Sequence, residues 1–393
     1  MARKLPVKWF HYDVMSGAGG APQLNGLAGS LIQVLDACLI DGFNTHSVVS
    51  FIIAGGVGTI EFGTSGHGFV LHQVVGIGGA TDDQYNGDWR VTAVNATSIE
   101  VDATGVADTT VAGTLTCKTA PVGDWEKAFS GTNKAAYRST NVDATGHYLR
   151  IDDSAGQLAD ARGYEAMTDI DNGTGPFPTT SQVSASNWGK SSTNNSILRK
   201  WMIVADGQFI YFFRHPNVIS ESTFPSWNIS SFFGDFVSFR PGDLYFSCLS
   251  VYRNASFGTA VMIDTNGNVL HRNNNSTSIF YVSRNHDQIG SSVESYFRGY
   301  PDDSGSISLE SYPGVYDGSL KLFDLKLIAH VTGDVIRGRL PGYFACGQHS
   351  PLSHGSILDL DTSKVIMVAV AVSSGSGGQF ERRFAIDITG PWR

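Results

Sequence analysis

Between residues 66 and 118 the chain alternates short apolar runs with Gly and Asn. It reads Gly66-His67-Gly68-Phe69, Val74-Val75-Gly76-Ile77-Gly78-Gly79-Ala80, and Tyr85-Asn86-Gly87-Asp88-Trp89-Arg90-Val91-Thr92-Ala93-Val94, then Ser98-Ile99-Glu100-Val101 and Gly113-Thr114-Leu115-Thr116-Cys117-Lys118. Such punctuation, about every ten residues, is that of short strands joined by tight turns. A different period precedes it. After Asn25, a plausible N-cap, Leu27, Leu31, Val34, Leu35, Cys38 and Leu39 fall on one helical face, and Gly42 is placed to end the helix. Ahead of this helix, an extended arm over 5–15 carries Trp9, Phe10 and Tyr12.

The pattern divides the chain into an N-terminal arm and helix over 1–46, a small β-barrel or sandwich module over 47–120, and a larger β-sandwich-like domain over 121–393. The fold class is mainly β with one N-terminal amphipathic helix. Pro121 and Gly123 read as a linker. In the last region two apolar runs flank Asp206-Gly207 and two more flank Asn266-Gly267, both read as hairpin turns that call for positive φ. Further strands are expected over 231–239, 245–252, 323–331 and 364–372. The stretch 159–168 has a weak helical character against its Gly163, whereas 172–178 and 184–196 read as loops.

Composition narrows the function classes. Of 393 residues, 41% are hydrophobic, so a core forms without disulfides or metal, while the 16% charged content and 45 glycines imply a neutral, polar, turn-rich surface. A net charge of −9 leaves no basic field for a phosphate backbone, so nucleic acid is not an expected partner. Cys38, Cys117, Cys248 and Cys346 stand singly, which fits buried thiols better than a disulfide framework. The basic start, Met1-Ala2-Arg3-Lys4, has no apolar run behind it, and no run is long enough for a bilayer. Synthesis and assembly in a cytoplasm, without membrane insertion, are expected.

Candidate chemistry is sparse. Asp152-Asp153, Asp169 with Asp171, and Asp302-Asp303 pair carboxylates, and a glycosidase needs two about 5 to 9 Å apart. Each pair sits among Gly, Ser or Asn, where Asp is favoured for bonding its own backbone. Cys346 with His349 and His354 offers three soft ligands and lacks the fourth of a structural zinc site. Asp264-Thr265-Asn266-Gly267-Asn268 resembles the start of a calcium loop but has its Gly misplaced and Asn275 where a bidentate Glu belongs. Ser374-Gly375-Ser376-Gly377-Gly378 is a hairpin tip and not a nucleophile elbow. No catalytic, cofactor or metal residue is assigned. Trp188, Trp227 and Tyr211 are the aromatics placed to stack on a glycan, and Trp9, Phe10 and Tyr12 those placed to dock on a neighbouring subunit.

The module's Gly66-His67-Gly68-Phe69 opening and its Tyr85-Asn86-Gly87 and Val91-Thr92-Ala93-Val94 core resemble small β-modules of tailed-bacteriophage structural proteins. Pro6-Val7-Lys8-Trp9-Phe10, Trp125-Glu126-Lys127-Ala128-Phe129, Gly173-Thr174-Gly175-Pro176-Phe177-Pro178, Ile336-Arg337-Gly338-Arg339-Leu340-Pro341-Gly342 and Asp387-Ile388-Thr389-Gly390-Pro391-Trp392 are similar to a family of uncharacterised tailed-phage virion proteins. The resemblance spans nearly the whole chain and brings no activity with it. It implies a non-enzymatic tail, baseplate or neck protein of the virion, without cofactor, whose partners are further copies of itself and other virion proteins. Two alternatives are a receptor-binding or fibre protein gripping host-surface glycan and a capsid decoration protein.

Overall fold

The computed structural model describes residues 3–215, 229–252, 278–298, 313–314, 317–329, 335–346, 348, 352, 355–360, 363–373 and 379–393. The architecture is mainly β, with antiparallel sheets and a short helix near the N-terminus.

Eight strands between Phe43 and Thr119 form the first sheet system. The spatial order is Phe43–Ser47, Gly113–Thr119, Val74–Ala80, Gly87–Val94, Ser98–Asp102, Val57–Glu61, Ser50–Ala54 and Thr109–Thr110. Alternation sets the faces: Phe51 and Ile53 point inward, Ile52 and Ala54 outward. The inner face, with Ile60, Val75, Ile77, Trp89, Val91, Ile99, Val101 and Cys117, makes a separate core in which Phe51 meets Trp89 edge-on at 5.1 Å. Asn86-Gly87 does not form a two-residue turn. Gly87 opens its strand at φ 104°, paired with Ile77, and the Asn86 amide clamps the longer connection by hydrogen bonds to Ala80 N and O.

Among the described residues nineteen strands form the second system, and the N-terminal strand Val7–His11 belongs to it, antiparallel to Trp201–Asp206 with Val7 opposite Asp206. The strands Trp201–Asp206 and Phe209–Arg214 are buried at every position, which is why they read as continuous apolar runs. Their connection differs from the expected turn. Gly207 does not adopt positive φ; instead the Asp206 carboxylate accepts the amides of Gln208 and Phe209 at 2.8 and 2.7 Å. The Asn266-Gly267 turn lies outside the described residues.

The helix runs Ser30–Asp36 and continues as a π-helical turn, Ala37–Asp41, with Leu31, Val34, Leu35, Cys38 and Leu39 buried against the large core. Gly42 ends it at φ 71°. Its start is later than the periodicity predicts. Gly29 is left-handed at φ 81°, Leu27 is exposed, and Asn25 accepts the Leu27 amide in a turn of its own.

Three further expectations are corrected. Residues 159–168 are not helical: Leu158–Met167 is a strand, paired to Tyr148–Asp152 on one side and to Gly173–Phe177 and Asn187–Gly189 on the other. Within the expected loop 172–178, Gly173–Phe177 is therefore an edge strand, where Pro176 loses no needed ladder bond. The expected loop 184–196 contains the short strand Asn187–Gly189, with 186–191 buried and most of 192–196 at the surface. Around Pro121–Gly123 the chain is fastened, Val122 N bonding Cys38 O at 2.8 Å and Pro121 O accepting Lys8 Nζ.

Candidate functional site

The aromatic candidates are spent inside the fold. Trp9 and Phe10 do not form a docking arm: both are buried in the chain's own core, with Trp9 Nε1 donating to His72 O at 3.0 Å and the Phe10 ring 6.0 Å from Phe43. The physical reason is the pairing of Val7–His11 with the buried Trp201–Asp206 strand, which needs apolar cover. Tyr12 is partly buried, 6.3 Å from Trp201. Trp188 and Tyr211 are fully buried, donating to Ser250 O and Pro341 O at 2.8 Å each, so neither offers a face to a sugar. Trp227 lies outside the described residues.

Where the two sheet systems meet, charge does the fastening. Arg90 donates to His72 O and Ile388 O at 3.0 Å and to Val7 O at 3.1 Å, joining the module, the N-terminal strand and the C-terminal segment. Burial pushes its guanidinium down to about 10, leaving it charged at neutral pH. Lys8 meets Asp88 at 2.7 Å beside it. Desolvation lowers the Lys8 amine, and Asp88 works against that shift.

The paired carboxylates serve as caps and counter-ions. Asp153 is fully buried with Lys190, and its second oxygen accepts Leu31 N at 2.8 Å, capping the helix from 122 residues away. Burial pushes the Asp153 carboxyl up and the Lys190 amine down, each countered by the opposite charge beside it. Asp152 meets Arg150 at 3.4 Å. Asp171 pairs with Lys134 at 2.7 Å and Arg150 at 3.1 Å, and Asp169 accepts the Asn172 side-chain amide at 2.9 and 3.0 Å and then the backbone amides of Asp171 and Asn172. These bonds hold both Asp169 and Asp171 below the usual carboxylate range. Asp302 and Asp303 lie outside the described residues, as do His349, His354, Asp264, Asn275 and the tip 374–378. Among the described residues no cluster of His, Cys, Asp and Glu has the form of a metal site.

A cluster that sequence reasoning missed lies around the loop 239–246. Arg337 grips buried Asp243 at 3.0 Å and donates to Tyr245 O at 3.0 Å and to Arg284 O. Arg284 makes a bidentate pair with Glu165, both bonds 2.6 Å, and lies over the Tyr245 ring at 4.1 Å. His147 is buried between Phe177 and Tyr245, at 5.7 and 6.1 Å, with no hydrogen-bond partner for Nδ1. Burial above all pushes its imidazole down to about 4. Two residues earlier, Thr145 donates its amide and hydroxyl to Asp235 at 2.6 and 2.7 Å. Asp235 is fully enclosed, and desolvation raises its carboxyl to about 6 against those bonds. Chemically, Glu165 and Asp243 are each neutralised by an arginine, an arrangement that pins strands and loops together. Above this cluster Phe239, Leu244 and Ile289 stand exposed.

No protein-family model matches the chain, and no curated protein matches it. A solved structure of the phage phi92 endosialidase is similar over 88% of this chain and 52% of its own length, at 9% identity and a TM-score of 0.16. The chain thus spans about half the length of that protein, and a likeness at this level bears on neither fold nor function.

Proposed function

We propose that this chain is a structural component of a tailed-phage virion, placed in the tail, baseplate or neck and assembled in the bacterial cytoplasm. It works by self-association and docking to other virion proteins, not by catalysis. Its sequence resemblance supports the phage assignment. The observation that carries the non-catalytic reading is the pairing of acids with cations of the fold: buried Asp153 on Lys190 and a helix start, buried Asp243 on Arg337, and part-buried Glu165 on Arg284. Each such carboxylate is committed to holding the fold, whereas acid–base catalysis needs one free to exchange a proton with substrate.

A nonsense mutation in the coding gene of the phage tests this. Particles lacking a complete tail, or tailless capsids, are the expected outcome under non-suppressing conditions. Infectious particles of normal morphology that lack the chain by mass spectrometry would overturn the proposal.

A further inference from the structure

Two exposed faces of this chain complement one another. On the small module, cross-strand pairing puts Ile52 beside Thr59 and Thr110, and Val57 beside Ala54 and Asp102, with Thr59 opposite Glu100. Directly opposed residues share a face, so this outer surface combines Ile52, Ala54 and Val57 with Glu100 and Asp102. Glu61 follows in the next row, and Asp108 at the sheet's end accepts Gly55 N at 2.9 Å. Of these acids Asp102 has a cation nearby, Arg3 at 3.8 Å.

At the far sheet system, the loop 239–246 presents an apolar patch with the opposite rim. Leu244 and Ile289 are 67% and 73% exposed and Phe239 is half exposed, and it is their grouping, not their single exposure, that makes a patch. They are held together by Phe239 N bonding Arg337 O at 2.9 Å, by Arg337 on Asp243, and by Gln288 Nε2 donating to Gly242 O at 3.2 Å. Arg240, next to Phe239 in the same loop, is exposed, with no ion-pair partner among the described residues. Lys326 lies over the Phe239 ring at 5.2 Å and shares Asp324 with Arg339, two cations to one carboxylate. Asp287, which caps Ile289 N, is the other acid of the rim.

The geometry points to a head-to-tail contact between copies of this chain, in which the Phe239–Leu244–Ile289 patch of one copy seats on the Ile52–Val57 face of the next. Apolar centres meet and the cationic rim faces the acidic one. Because the two surfaces differ, the contact is heterologous: it generates a ring when the rotation closes and a filament when it does not. A chain of net charge −9 repels its own copies except where cations are displayed, so the patch bearing Arg240 is where an acidic partner of the same sequence approaches most readily. This inference rests on the self-association proposed above.

Mass photometry and light scattering on the full-length chain, with Leu244→Asp and Ile52→Asp variants checked for fold by circular dichroism, test it. Wild type should be oligomeric and each variant alone monomeric. Mixed in equal amounts, the variants should form dimers and stop there, because the intact patch of Ile52→Asp meets the intact face of Leu244→Asp and no second competent contact remains. A monomeric wild type overturns self-association itself, and this contact with it. An oligomer that survives both substitutions, or a variant mixture that stays monomeric while wild type assembles, overturns this contact and leaves self-association through another surface standing. In a second readout, disulfide cross-linking should join Leu244→Cys chains to Ile52→Cys chains in a mixture, and cross-links within either population alone would contradict the head-to-tail arrangement.

Discussion

His147 and Asp235 give the large sheet system opposite responses to acid. The imidazole, ordinarily near 6.5, is held down to about 4 by burial between Phe177 and Tyr245. Above the unfolded value both states are neutral and nothing is lost. As pH falls from 6.5 to 4 the unfolded chain takes up a proton that the folded chain refuses, so stability drops by about 3 kcal/mol. Asp235 runs the other way. Its carboxyl, ordinarily near 3.8, is raised to about 6. Between 6 and 3.8 the folded state holds the proton more tightly, and stability rises on acidification by a similar amount, roughly 3 kcal/mol. The two nearly cancel in the wild type, and single variants separate them. Urea unfolding followed by tryptophan fluorescence at pH steps from 7.5 to 4 gives the free energy for wild type, His147→Gln and Asp235→Asn. Relative to wild type, His147→Gln should gain about 3 kcal/mol as pH falls across this range, and Asp235→Asn should lose about as much below pH 6. Packing changes caused by the substitutions shift each curve as a whole and leave the slopes to be read. Difference curves that are flat, or that slope with the opposite sign, would refute the burial argument for the residue concerned.

Gly87 and Gly42 should resist any side chain. A Cβ at Gly87 would lie 2.2 Å from Arg3 O and one at Gly42 2.4 Å from Thr119 O, both at positive φ, so Gly87→Val or Gly42→Val should cost more than about 1 kcal/mol, seen as a lower melting temperature. Lys190→Met leaves Asp153 buried without its cation and should cost about 3 to 5 kcal/mol, whereas Lys190→Met combined with Asp153→Leu should recover part of that loss by the same unfolding assay. Deleting residues 2–12 removes a buried strand and the Trp9 and Phe10 side chains; proteolysis should show the remainder unfolded, and a protected, folded remainder would restore the docking-arm reading.

Legibility followed the range of the interactions. Strands with one buried face, such as Ser50–Ala54, declare themselves by alternation, and Trp201–Asp206 and Phe209–Arg214 by unbroken apolar runs. The helix end was legible because Gly42 is a local signal. Its beginning was not, since the cap at Leu31 N comes from Asp153 in a distant strand. Ala159 to Thr168 carries three Ala with Arg162, Glu165 and Met167, all good helix formers, and strand neighbours on both sides outweigh that weak propensity. Gly173–Phe177 has the composition of a turn, yet an edge strand tolerates both its Gly and its Pro. The aromatics of the arm look the same whether they dock outward or pack inward, and only the pairing with Trp201–Asp206 decides. Arg337 with Asp243 and Arg284 with Glu165 join residues 94 and 119 apart, a separation at which no spacing rule operates.

Cryo-electron microscopy of the intact particle tests the central claim most directly. The account predicts this fold, with its eight-stranded module beside the larger sheet system, in density at several symmetry-related positions of the tail, baseplate or neck, with chain touching chain. Particles whose complete density contains no copy of it, alongside purified chain that cleaves host polysaccharide, would contradict the account.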